Sequence, residues 1–340
     1  MSSKEYKVGV VGAGLVGQKL VEVLEERDFP IDELRIMATS QRKQEIAGRE
    51  RQVIEAEEDA FDGLDLALFA GTEGESGASQ LYGWKAVEKG VFVVDNGNDF
   101  RMDPRVPLVV PEVNPGAINN HQGFVSNPNC STIQMVVALQ PLHKAAGLKR
   151  IVVSTYQSVS GTGRSGVRAL EQQREAAVEG REAEFGPYPH AIFNNCIPEI
   201  GSLKDQFPGC YSEEVKMILE TRKIMELPEL AVTATCVRVP VTLSHSETIN
   251  VELEEPLSAD EAREILSDAE GVTVIDDPAT NRYPLADEAA GRDPVYVGRI
   301  RQDPSRENAI DMWCVSDNIR KGAALNTVQI AEKAIEMGVL

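Results

Sequence analysis

The chain is short of basic residues: 34 Lys and Arg stand against 54 Asp and Glu, a formal net charge of −20 over 340 residues. Nucleic acid and anionic membrane surfaces need a net basic face, so neither is an expected partner. No apolar run is long enough to span a bilayer. The apolar stretch 123–143, which carries no formal charge, is cut by Asn127, Pro128 and Asn129, which leaves too few apolar residues. The N-terminus lacks a signal-peptide pattern, because residues 1–7 are polar and the first apolar run, 8–17, carries four glycines and leads into a charged helix. Paired cysteines are missing too: the five lie at 130, 196, 210, 236 and 314 with no CxxC. That spacing argues against a disulfide framework or a zinc ribbon and for reduced thiols in a cytoplasmic protein with no metal site.

What is present is the composition of an ordinary globular protein, 42% hydrophobic and 26% charged, and a length of about two domains. Roughly the first 110 residues alternate strand and helix patterns: strands at 6–11, 34–38, 64–69 and 91–95, helices at 15–27 and 76–89. Such alternation predicts a parallel, doubly wound sheet with crossover helices. Beyond residue 150 the strand patterns at 151–156, 232–241, 248–254, 295–301 and 309–315 are irregularly spaced, which predicts a mixed-sheet α+β domain. An amphipathic helix over 321–337 closes the chain, and the acid cluster 252–270 reads as a solvated hairpin end and helix face. The expected division is 1–129 with 320–340, and 130–319.

Gly12, Gly14 and Gly17 form G-x-G-x-x-G directly after a strand and before a helix. In that context the glycines allow a tight turn, a close approach by a pyrophosphate and the packing of helix on strand, while the helix N-terminus supplies N–H donors. The second strand is followed by Thr39, Ser40, Gln41, Arg42 and Lys43, with no acid until Glu45. An NAD-selecting acid is therefore missing where a hydroxyl and a cation for a 2′-phosphate are present, which favours NADP; the alternative is a solvated basic loop.

Cys130 follows Ser126-Asn127-Pro128-Asn129 and precedes the apolar helical pattern 133–142. Pro and Asn disfavour helix and Ser131 and Thr132 can cap it, so the thiol falls at a helix start, where N–H donors and the dipole favour thiolate. Cys196, Cys236 and Cys314 read as buried structural thiols and Cys210 as a loop thiol. A thiolate beside a nicotinamide points to attack on an aldehyde, hydride transfer and a thioester cleaved by an acceptor. The acid–base partner must come from four histidines; His245, in Ser244-His245-Ser246-Glu247 just past the strand pattern, has the polar setting for it, with a surface histidine as the alternative.

Together these segments resemble the aspartate-β-semialdehyde dehydrogenase family over nearly the whole chain, through SNPNCST at 126–132, YQSVSGTG at 156–163, EEVKMILETRKI at 213–224, CVRVPV at 236–241, SHSE at 244–247 and DNIRKGAALN at 317–326. The resemblance implies reversible NADPH-dependent reductive dephosphorylation of L-aspartyl-4-phosphate to L-aspartate-4-semialdehyde, a step towards lysine, threonine and methionine, by a homodimer or homotetramer. It implies Cys130 as nucleophile, His245 as acid/base, and Asn129 and Gln157 as holders of substrate and acyl oxygen. Arg238 would clamp the α-carboxylate, Arg101 and Lys216 would bind phosphate, and Glu213 would meet the ammonium. For the cofactor it implies Gly12, Gly14, Leu15, Val16 and Gly17 at the pyrophosphate, Ser40 and Arg42 at the 2′-phosphate, Gly71 and Asn96 in later loops, and Ser160, Gly161 and Asn318 on the nicotinamide side. For Glu213 and Lys216 a plain i, i+3 helix pair is the alternative. The glycine turn departs from the family's GATGxVG by being one residue shorter. The related N-acetyl-γ-glutamyl-phosphate reductases carry a cysteine motif like NPGCYPT, unlike Asn129-Cys130-Ser131-Thr132 here. A non-catalytic paralogue would be expected to lose the thiol or its partners, and all are present.

Overall fold

The structure, a computed structural model, describes residues 4–71 and 74–340. Contacts divide the chain into two units, Met1–Asn129 with Ala323–Leu340, and Cys130–Gly322.

In the first unit, β1 (Tyr6–Val11), β2 (Ile31–Ala38), β3 (Arg42–Ile46), β4 (Arg49–Glu55), β5 (Leu66–Phe69), β6 (Phe92–Asp95) and β7 (Phe124–Ser126) form one sheet in the order β3-β4-β2-β1-β5-β6-β7. Every pairing is parallel except β3 with β4. The runs LALF of β5 and FVVD of β6 are buried throughout, as strands covered on both faces must be. Helix α1 (Leu15–Glu26) and the C-terminal helix (Leu325–Glu336) share a core cluster with Val8, Val10, Leu20, Leu24, Val328 and Ile330. Phe61, Phe69, Phe100 and Phe124 build a separate cluster. Strand order reverses at β1, because the chain adds β2 on one side of it and β5 on the other. The carboxyl end of β1 is therefore the switch point at which such sheets open a ligand crevice.

Two local expectations change here. The basic segment after β2 is not a loop: Arg42 opens β3, an edge strand whose exposed polar side chains suit an unpaired edge. The helix expected over 76–89 is shorter, a π turn at Ser79–Gly83 followed by α2 (Trp84–Glu88). Gly83 lies flat against Phe124, where a Cβ would come 2.6 Å from the ring.

In the second unit, β8 (Leu148–Gln157), β9 (Ala231–Arg238), β10 (His245–Leu253), β11 (Val272–Val274), β12 (Val295–Gln302) and β13 (Ala309–Ser316) form a mixed sheet in the order β11-β12-β13-β10-β8-β9. Helix α3 (Cys130–Ala146) lies against it, and residues 131–139 of the helix are all buried. Helices α4 (Arg164–Glu179), α5 (Ser212–Ile224) and α6 (Ala259–Ser267) complete the unit.

The strand expected to run to Val241 stops at Arg238, since Pro240 has no N–H for a ladder. β10 starts three residues earlier than its pattern suggested, so His245 opens an interior strand and is fully buried. Cys196, expected inside, is exposed because it lies in irregular chain between α4 and α5. Glu252 of the acid cluster is buried, and hydrogen bonds from Arg306 and Lys149 hold its carboxyl well below the usual range.

Candidate active site

The glycine turn occupies the switch point. Gly12 has φ 114°, which favours glycine, and a Cβ there would lie 2.5 Å from the Ala70 carbonyl oxygen. A Cβ on Gly17 would lie 1.8 Å from the Gly12 oxygen, so only glycine lets α1 approach β1 this closely. Gly14 differs: nothing lies within 4 Å of its would-be Cβ, which leaves the start of α1 open to an anion. Leu15 and Val16 begin α1. Gly71 packs on Ala78, where a Cβ would meet its methyl at 2.9 Å. Ser40 and Arg42 are exposed at the β2–β3 junction, with Arg42 Nη1 donating to the Ser40 carbonyl at 3.0 Å and Nε to Gln44 Oε1 at 2.9 Å.

At the end of β6, Asn96 Nδ2 donates to the Phe69 carbonyl at 2.9 Å and its Oδ1 accepts from Thr327 Oγ1 at 2.9 Å. Buried Arg101 closes this loop through Nη2, which donates to the Asn96 carbonyl at 2.7 Å. Beside them Asp95 is buried, and burial pushes its carboxyl up to about 6 against the Ser79 and Gly97 donors.

Cys130 is the first residue of α3 and is partly exposed, whereas Ser131 and Thr132 are fully buried and Asn129 is nearly so. The first-turn N–H groups of a helix have no intrahelical acceptor. Gly322 packs on the cysteine: a Cβ there would come 2.7 Å from Cys130 Cβ.

Gln157, Glu213, Arg238 and His245 form one buried cluster in the second unit. Register brings Gln157 at the end of β8 beside Arg238 at the end of β9. Gln157 Oε1 accepts from Thr155 Oγ1 at 3.0 Å, and its Nε2 donates to Glu213 Oε1 at 3.0 Å. His245 Nε2 lies 3.4 Å from Gln157 Nε2, while its Nδ1 accepts the Ser158 main-chain N–H at 3.0 Å. Burial first, and the Arg238 cation second, push the imidazole down to about 3, with Glu213 opposing. Arg238 Nη1 donates to the Ser158 carbonyl at 2.7 Å. Gly161 adjoins both side chains, since a Cβ would sit 2.8 Å from Arg238 Nη1 and 3.3 Å from His245 Cε1. Lys216 Nζ reaches Glu213 Oε2 at 3.3 Å, so the i, i+3 pair exists within α5. Ser160 and Asn318 are buried and bonded to each other.

Sequence reasoning missed Ser158, Gly322 and Glu247. Glu247 follows His245 on the same face of β10 and pairs across the sheet with Thr155 and Cys314. It is fully buried, and neither carboxylate oxygen has a hydrogen-bond partner. Burial raises its carboxyl well above the usual range, and the nearby Gln134 amide opposes this only in part, since it closes no hydrogen bond to either oxygen. The Cys236 and Cys314 thiols are likewise pushed up by burial, as structural cysteines should be.

The native Glu247 therefore keeps a proton that the unfolded chain has already lost above its ordinary pKa. The native state binds more protons there, so stability falls as pH rises from about 4.5 towards the raised value. Glu247→Gln, neutral and isosteric, is expected to raise the melting temperature at pH 8 and leave it unchanged near pH 4. Thermal melts across that range check this, and a constant difference at all pH values would refute it.

Residues 7–121 match the family model described as semialdehyde dehydrogenase, NAD binding domain, and residues 139–321 match semialdehyde dehydrogenase, dimerisation domain. The aspartate-semialdehyde dehydrogenase of Aquifex aeolicus is 48% identical over 345 aligned positions, covering 98% of this chain and 99% of that protein. The chain belongs to the aspartate-semialdehyde dehydrogenase family. Its Bacillus subtilis relative is 43% identical with 98% of each chain covered. The crystal structure of aspartate semialdehyde dehydrogenase II from Vibrio cholerae, complexed with ASA, superposes with a TM-score of 0.93 at 41% identity, covering 98% of this chain and 99% of that one. Like these family members the chain pairs a Rossmann-type sheet with a second, mixed-sheet unit. No described helix is long and apolar enough to cross a membrane.

Proposed function

We propose that the protein catalyses the reversible, phosphate-dependent conversion of L-aspartate-4-semialdehyde to L-aspartyl-4-phosphate with NADP, as a cytoplasmic homodimer or homotetramer. The observation that carries this reading is the buried His245–Gln157–Glu213–Arg238 cluster in the unit that begins with Cys130 at a helix start. The dinucleotide fits the first unit, because Gly12 and Gly17 admit nothing larger and Gly14 faces open space. When bound, the nicotinamide supplies a hydride acceptor or donor.

The chain's own residues do the rest. The Cys130 sulfur bonds to the aldehyde carbon and is later displaced from the acyl group by a phosphate oxygen, leaving as thiolate. His245 exchanges the proton of the former carbonyl oxygen, and Asn129 and Gln157 hold that oxygen while charge develops on it. Arg238 holds the substrate carboxylate with its planar fork, Glu213 the ammonium, and Arg101 and Lys216 the phosphate. Ser40 and Arg42 take the 2′-phosphate.

Phosphate-dependent NADP reduction with aspartate semialdehyde, and none with N-acetylglutamate semialdehyde, tests the proposal; the reverse preference by folded protein sinks it. Losing one charge-assisted contact costs about 1.5–3 kcal/mol. Arg42→Ala is accordingly expected to raise KM for NADP about 10- to 100-fold with little change for NAD. Equal effects on both nucleotides would remove Arg42 from the 2′-phosphate site.

A further inference from the structure

The surroundings of His245 determine which of its two nitrogens carries the proton. Nδ1 lies 3.0 Å from the Ser158 main-chain nitrogen and 3.0 Å from Ser158 Oγ. A main-chain N–H only donates, so Nδ1 presents a lone pair and the neutral ring carries its hydrogen on Nε2. At the other nitrogen, Gln157 cannot reverse this. Its amide is oriented by Thr155 Oγ1, which donates to Oε1 at 3.0 Å, and by Glu213, which takes Nε2–H at 3.0 Å. The 3.4 Å approach of Gln157 Nε2 to His245 Nε2 thus sets donor against donor, and it is the longer contact.

A ring with its hydrogen on Nε2 cannot take a proton there. Taking one requires the form with hydrogen on Nδ1, and that hydrogen needs an acceptor. Ser158 Oγ is bonded to Nδ1 and has a lone pair to offer, beside a main-chain hydrogen bond from the ring to Ser244 that also favours the protonated form. The hydroxyl's own hydrogen has another destination, Asn318 Oδ1 at 3.1 Å. Asn318 is itself held in place, since Oδ1 also accepts from Ser244 N–H at 3.0 Å and Ser160 Oγ at 3.2 Å. The charged groups acting on the ring are Arg238 from β9, which opposes a second proton, and Glu213 from α5, which favours one.

We propose that Ser158 is a positioning residue that governs the tautomer of His245: its main-chain N–H holds the resting ring as an Nε2–H donor, and its hydroxyl, backed by Asn318, accepts the Nδ1 hydrogen when Nε2 acts as base. This rests on the reading of His245 as the acid–base group. In the oxidative direction the neutral ring first gives its Nε2 hydrogen to solvent water and takes a water proton at Nδ1, against Ser158 Oγ; the hemithioacetal O–H bond then breaks, its proton joins the freed Nε2 lone pair, and the ring becomes a cation. The electron pair left on oxygen reforms the carbonyl as the carbon gives up its hydride to NADP. Ser158 keeps its own hydrogen throughout, turning it from the bare Nδ1 of the resting ring to Asn318 Oδ1 once Nδ1 is protonated.

The test begins with full-length protein labelled with ¹⁵N-histidine, tractable because the chain has four histidines and His245→Asn assigns the signal. The expected resting spectrum at pH 7.5 shows Nε2 protonated and Nδ1 bare; a protonated Nδ1 overturns the proposal whatever the variants do. Ser158→Ala is expected to lower kcat for semialdehyde oxidation about 10- to 100-fold, within the range of acid–base contributions. KM for both substrates should hold, and the acidic limb of the pH profile should move to lower pH. Ser158→Thr, which keeps the hydroxyl, should recover most of the rate. Equal losses in both variants with an unmoved pH limb would reduce Ser158 to packing. Normal turnover by His245→Asn would instead remove the acid–base reading beneath it, which separates the two failures.

Discussion

Cys130→Ala is expected to abolish turnover, by more than about 10⁴-fold, because without a thiolate there is no covalent acyl intermediate to hand to phosphate. The cysteine is the first residue of α3, where main-chain N–H donors and the positive end of the helix favour the anion. It is partly exposed, unlike Cys236 and Cys314, whose burial keeps them protonated. Deleting one sulfur at this position leaves Gly322 against the same Cβ, so the fold should survive. Nucleotide binding should survive as well, since the glycine turn belongs to the other unit. NADPH fluorescence titration with a steady-state assay checks both halves. Near-normal turnover would remove Cys130 from the chemistry; lost nucleotide binding would show that the variant has failed to fold.

The second large effect is expected at Arg238, where lysine keeps the charge and loses the fork. Arg238 is buried at the end of β9, and its Nη1 is already donated to the Ser158 carbonyl. A guanidinium has further donors for a carboxylate; one ammonium cannot serve the Ser158 oxygen and two carboxylate oxygens with the same geometry. Losing that arrangement in a buried setting costs about 3–4 kcal/mol, so kcat/KM for aspartate semialdehyde should fall about 10²- to 10³-fold. KM for NADP should stay put. An unchanged dependence on semialdehyde concentration would assign Arg238 to holding the 158–161 loop alone.

The parts of this site that sequence made legible are those where residue type itself carries the constraint. Gly12 and Gly17 are such positions, because any other side chain collides with main chain. Cys130 is another, since Pro128 and Asn129 before it and the apolar run after it mark a helix start. The β3–β4 hairpin was hidden by its turn, Ala47-Gly48, in which alanine takes φ 53°, a conformation usually announced by Asn or Gly. His245 was recognised as a residue but misplaced as a strand exit, because its polar neighbours look solvated and are in fact buried. Glu247 gives no sign in sequence that its carboxyl lies in the interior. Ser158 is the hardest to see, since part of its contact with His245 is made by a main-chain N–H that every residue but proline has.

The alternation along β8 has a consequence for how the gene can change. Gln157 lies on the buried side of the strand, whereas Tyr156 is 37% exposed on the other and contacts Trp313 with ring centroids 5.5 Å apart. A single-codon deletion within β8 would exchange the two, presenting a phenol where Glu213 and His245 expect an amide. The strand is paired along its length by β9 and β10, so no edge is left to absorb the slip. Length variation among descendants of this chain should therefore gather in the segment between α4 and α5 and be absent from residues 148–157, however freely the individual side chains there are exchanged.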